Sequence, residues 1–161
     1  MTFTKRFGVA FAVAVALLLA VMSWSSSQVS ASAADQAETV GPEPLVDVHE
    51  LMESVVGKAF EGAKKGLSEK PADRKAWSSV FSMSVLLGES GNLLLFRKPE
   101  DAEPKQWKAL AVGLRDRGQD LIQATKAKDY DASKKAYTAV VEACNKCHTK
   151  FATDGEPKIE P

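Results

Sequence analysis

The chain has 161 residues, 45% of them hydrophobic and 26% charged, with 21 basic and 21 acidic side chains. That length suggests one domain or one plus an appendage, and that composition excludes a disordered, charged tail protein. The lack of a basic excess argues against a nucleic-acid-binding role, and two cysteines are too few for a disulfide-rich scaffold.

Residues 1–33 hold Lys5 and Arg6 and no acid, which leaves 19 basic against 21 acidic side chains, a net of −2, in the remainder. An apolar run from Phe7 to Met22 follows the two cations, and Ala31-Ser32-Ala33 stands before Ala34. A charged start, a short apolar core and an A-x-A site are the parts of a secretory signal peptide. Sixteen apolar residues reach about 24 Å as a helix, short of a ~30 Å hydrocarbon core. Residues 1–33 are therefore expected to be a cleaved signal peptide rather than a membrane anchor, and the mature domain to work outside the cytoplasm. Residues 34–46 read as a flexible leader, because Pro42 and Pro44 oppose helix and no apolar periodicity is present.

Four amphipathic helices are expected over residues 47–152. The first carries Val48, Leu51, Met52, Val55, Val56, Ala59, Phe60 and Ala63 at helical spacing. Asp47 suits its N-cap, and Gly66 with Pro71 suits its end. A second helix, from about Ala72 or Asp73 to Arg97, turns Trp77, Val80, Phe81, Ser84, Leu87, Gly91, Leu94 and Leu95 inward. Gly88 and Gly91 weaken it by about 1 kcal/mol each relative to Ala, a cost expected where a neighbour or cofactor comes close. Pro104 suits the first position of a third helix bearing Trp107, Leu110, Ala111, Leu114, Gly118, Leu121 and Ile122. Asp131 is the expected N-cap of the fourth, with Ala136, Val140, Ala143, Cys144, Cys147 and Phe151 on its stripe. Nothing alternates with period two, so strands are not expected. Short loops favour an all-α, antiparallel up-down-up-down four-helix bundle, followed by a tail at 153–161. Inner stripes rich in Ala and Gly leave room for something large.

Cys144-Asn145-Lys146-Cys147-His148 is C-x-x-C-H, the c-type haem attachment sequence. Two thiols one helical turn apart can each add to a vinyl group on one porphyrin edge, and the next residue then offers an imidazole to the iron. A zinc site lacks ligands, since only His49 remains besides these three. A thioredoxin-like site wants a βαβ context, and a disulfide within a helix is geometrically awkward.

With that motif at the end of the last of four helices, the chain resembles a class II cytochrome c, the cytochrome c prime family of four-helix bundles. The residues that carry the likeness are Cys144-Asn-Lys-Cys-His-Thr-Lys-Phe151 and the helix order before them, over about residues 45–152. The resemblance implies one covalent haem c near the C-terminal helix, with His148 as an axial iron ligand. Two departures stand out. Ala152 follows Phe151 where the family often has Arg, and Val48 stands where it often has Arg if Met52 is the distal residue.

The opposite face of the iron decides the function. In the resembling family the opposing side chain comes from the first helix, where Met52 stands. A Met ligand gives a six-coordinate iron and, with His, a raised potential suited to electron transfer. His49, three residues earlier, is the competing sixth ligand, and an open site is the third option. Met83 reads as packing; Phe60, Phe81, Phe96 and Trp77 read as core or pocket wall. Arg97, Arg115 and Arg117 are all candidates for the haem propionates. Lys134, Lys135, Lys146 and Lys150 surround the motif and can steer an acidic redox partner, although a merely solvated helix face fits them equally.

The expectation is an exported, periplasmic or otherwise extracytoplasmic monohaem cytochrome that carries electrons between redox protein partners. It is not expected to be an enzyme, to bind nucleic acid or to stay in a membrane after signal cleavage, and a homodimer is allowed. The rival is a five-coordinate, gas-binding haemoprotein for nitric oxide or carbon monoxide. A haem peroxidase, with His49 as its only candidate distal base, is a weaker third.

Overall fold

Asp47 opens the first helix by accepting a hydrogen bond from the Glu50 N–H at 2.8 Å, which satisfies one of the unpaired donors of a helix start. The computed structural model describes residues 41–151 and 158–161, and every described element lies in the unit Glu43–Pro161. The signal peptide expected at 1–33 and the leader up to residue 40 lie outside the described residues. The elements are α1 (Val48–Leu51), a π-helical segment (Met52–Val56), α2 (Gly57–Leu67), α3 (Arg74–Leu94), α4 (Pro104–Ala127) and α5 (Tyr130–Phe151). α1, the π segment and α2 run on without a break, so the described residues form four helical stretches and no strand.

The π segment departs from the regular helix expected there. The Gly57 N–H reaches back five residues to the Met52 carbonyl, so the turn holds one extra residue. Burial records the shift. Leu51 and Val56 are buried, five residues apart, while Val55, the position of the regular pattern, is only half-buried. Gly66 does not end the first stretch either. It lies inside α2, where a Cβ would come 2.5 Å from a methyl of Val80, and the helix runs on to Leu67.

Asp73 caps α3 through the Ala76 N–H, and Glu103 caps α4 with Pro104 beside it. The N-cap of α5 is Asp129 rather than Asp131: its carboxylate accepts from the Ala132 N–H at 3.0 Å. Lys128, at φ 57°, already turns the chain in left-handed conformation, which brings Asp129 to the helix start. Phe96, expected in the core, is half exposed, because the chain leaves α3 before it.

Each helical stretch packs on the next, and α2 also touches α5, an arrangement compatible with a helical bundle. Between α3 and α4 the paired residues run in opposite directions. The Trp107 indole N–H donates to the Leu94 carbonyl at 2.7 Å. Gly91 meets Ala111 and Arg115, and Gly88 meets Gly118. At Gly91 an added Cβ would lie 2.5 Å from the Arg115 nitrogen, so the glycines set how closely these backbones approach. The Tyr130 hydroxyl donates to the Leu67 carbonyl at 3.1 Å, tying the start of α5 to the end of α2. Leu87, Leu121 and Val140 are fully enclosed between the stretches, each worth roughly 1.5–3 kcal/mol of apolar burial. Among the described residues no helix is long and apolar enough to cross a membrane.

Candidate functional site

The last three turns of α5 carry Cys144, Cys147 and His148, with Cys144 buried and the other two half-buried. All three line one apolar cavity of about 700 Å³, a figure that includes space open to solvent. The first stretch contributes Met52, Val56, Gly57 and Phe60 to its lining. Leu94 of α3 and Trp107, Leu110, Ala111 and Leu114 of α4 close the sides, with Ile159 of the tail at an edge. Small residues at Gly57, Ala111 and Ala143 leave the volume that larger side chains would fill.

Both cysteines are free thiols. Burial, then the neighbouring Cys147, pushes the Cys144 thiol up to about 11, and burial raises Cys147 as well. Burial therefore favours the protonated form of both thiols. The His148 ring has a buried Nδ1 with no hydrogen-bond partner among the described residues, so no network of side chains holds the imidazole. Among those residues no group of three or more His, Cys, Asp and Glu side chains is placed to hold a metal ion. Paired thiols, an available imidazole and a large apolar cavity fit a haem bound through two thioethers.

Met52 is brought to this cavity and His49 is not. The His49 side chain is 79% exposed, lies 3.4 Å from the Glu53 carboxylate and is absent from the cavity wall. Met83 packs over Gly62 of α2, and Trp77 is core without reaching the cavity. Phe60 is wall, whereas Phe81 is half-buried elsewhere. Arg97 donates to the Val46 and Leu93 carbonyls, Arg115 pairs with Asp116, and Arg117 pairs with Asp120 at 3.4 Å. Arg117 also lines a groove with Lys146 whose wall residues Leu110 and Ala143 are shared with the cavity. Lys134, Lys135, Lys146 and Lys150 are all exposed.

Sequence reasoning missed Ile159 and Tyr137. A lone isoleucine between Lys158 and Glu160 is a signal that can be read as an anchor point. Tyr137 is only 4% exposed and stacks on Phe60 with centroids 5.9 Å apart. Its place three residues before Val140 and seven before Cys144 is the helical-spacing signal that could have found it.

Residues 102–152, which hold α4, α5 and the attachment motif, match the family model described as Cytochrome C'. The chain is cytochrome c prime-like over this stretch. The match supports a c-type haem cytochrome and implies haem c as its cofactor. This cytochrome c prime-like segment supplies the His148 side of the cavity, and the match ends short of Met52 on the first stretch. No curated protein and no solved structure matches the chain.

Proposed function

We propose that this chain is an exported monohaem c-type cytochrome that passes single electrons between redox proteins, with no substrate chemistry of its own. Its mature domain is an antiparallel up-down-up-down four-helix bundle, reached after removal of residues 1–33 and working in the periplasm or another extracytoplasmic space. Cys144 and Cys147 would hold one haem through thioether bonds, and His148 and Met52 would supply the side chains that bind its iron. The observation that carries the reading is that Met52 and His148, which belong to two different helical stretches, line the same cavity. When bound, the haem supplies an iron that alternates between ferrous and ferric states.

The chain's own residues do the rest. The thiols fix the cofactor's edge, and the apolar walls at Val56, Phe60, Trp107 and Leu114 keep water from its faces. A Met thioether opposite His stabilises the ferrous state and raises the potential. Lys146 within the motif and Lys150 just after it offer positive charge to an acidic partner, through encounters that weaken as salt rises. The exposed position of His49 speaks against bis-His ligation.

A second reading, a five-coordinate gas-binding haemoprotein, draws on the apolar wall around Met52, which suits a small neutral gas if the thioether stays off the iron. Two variants separate them. Met52→Leu should turn a low-spin ferric protein high-spin, lower its midpoint potential and open it to carbon monoxide, while His49→Ala should leave all three near wild type. A wild type already high-spin and unchanged by Met52→Leu favours the gas-binding reading. A high-spin form from His49→Ala alone favours bis-His ligation.

A further inference from the structure

The tail at residues 158–161 touches both helical stretches that bear the proposed axial ligands. Inside the attachment motif, the Asn145 side chain uses both halves of its amide on one tail residue. Its Nδ2–H donates to the Ile159 carbonyl at 2.8 Å, and its Oδ1 accepts the Ile159 N–H at 2.9 Å. Such a pair fixes both the position and the direction of the backbone it holds. On the other side, the Lys64 ammonium donates to the Glu160 carbonyl at 2.9 Å. The same ammonium lies 5.8 Å from the ring centroid of Phe60, a wall of the cavity. Ile159 is half-buried against the core and lines the cavity itself, although its neighbours Lys158 and Glu160 are exposed.

We infer that residues 158–160 form a strap that closes the cavity along the seam between α2 and α5, with Ile159 as its apolar plug and Asn145 as the residue that positions it. The inference rests on the haem reading and adds to it a control over how wet the haem edge is. Replacing water by an isoleucine lowers the local dielectric, which disfavours the more highly charged ferric state and raises the potential. The strap also joins the stretch carrying Met52 to the helix carrying His148, so its closure opposes separation of the two axial ligands. Asn145 thereby has a task within C-x-x-C-H that attachment itself does not require.

The test uses the intact haem-loaded protein and two variants, Asn145→Ala and Ile159→Ala, each read by hydrogen exchange at the Ile159 amide and by the midpoint potential. Asn145→Ala removes both hydrogen bonds, so exchange at Ile159 should speed up roughly 5- to 30-fold and the potential should fall. Ile159→Ala keeps the clamp and removes the plug, so exchange should stay within a few-fold of wild type while the potential still falls. Because Ile159 lies outside the helices, this variant leaves the bundle intact. Wild-type exchange in Asn145→Ala, or an unchanged potential in both variants, overturns the strap. A wild-type protein that shows no covalent haem in its pyridine haemochromogen spectrum overturns the cytochrome reading itself, and the strap's role with it.

Discussion

Tyr137 packs its ring against Phe60 beneath the cavity, while its hydroxyl is buried with no partner among the described residues. A buried polar atom without a hydrogen bond costs about 1–3 kcal/mol, and removing it with its shape kept can be neutral or stabilising. Tyr137→Phe should accordingly hold or raise the melting temperature at pH 7, by an amount equivalent to about 1 kcal/mol; a clear drop would show that the hydroxyl has a partner. Burial pushes the phenol well above the ordinary tyrosine range, and the charges of Glu61 and Cys144 push it further. The folded pKa is raised, so ionisation of this phenol leaves stability untouched below the unfolded value of about 10 and lowers it as pH rises above that value. Thermal melts at pH 7 and pH 11 should therefore show a smaller alkaline loss for Tyr137→Phe than for wild type. At this scale the sequence was uneven as a guide. Cys144, Cys147 and His148 stand out by their C-x-x-C-H spacing, and the structure brings all three to one cavity. Tyr137 was passed over although it keeps helical spacing to Val140 and Cys144, because an amphipathic ring suits core and surface alike.

The first helical stretch shows what periodicity cannot see. Its apolar residues keep regular α spacing from Val48 to Ala63, yet the backbone takes a π turn at Met52–Val56 and buries Val56 in place of Val55. Packing against α3 and the cavity chose the register, and the sequence pattern fitted either choice. A π turn accommodates one extra residue while the flanking turns keep their faces. Deleting the exposed Ser54 should give a regular helix with Met52 still at the cavity and a low-spin ferric spectrum. Inserting an alanine after Ser54 adds a second extra residue and turns Met52 by about 100°, which should give a high-spin spectrum. The same outcome for both would contradict this account of the turn. On α4, two glycines make opposite predictions. Gly118 faces the Gly88 backbone so closely that no Cβ fits, so Gly118→Ala should destabilise by about 1–3 kcal/mol or more. Gly113 has nothing within 4 Å, so Gly113→Ala should stabilise by up to about 1 kcal/mol. Chemical denaturation of both variants checks the signs. The close crossing was legible only as glycines placed on an inner stripe, and the pairing of Gly88 with Gly118 needed the structure.

At the scale of the whole molecule, the helices leave an apolar cavity where a close-packed bundle would hold side chains. On the proposed reading the haem is a large part of the core. Cys144→Ala with Cys147→Ala should leave no colour on the polypeptide after acid acetone, and a bundle with a lower, broader thermal transition that binds a hydrophobic dye. Intact mass of the secreted protein should give a chain beginning at Ala34 plus one haem. The central claim, that His148 and Met52 hold the iron between them, is tested most directly by the absorption spectrum of the purified wild-type ferric protein into the near infrared. The account predicts a low-spin spectrum with a weak far-red band from sulfur-to-iron charge transfer. A high-spin ferric spectrum without that band, from a protein that binds carbon monoxide rapidly once reduced, would contradict it.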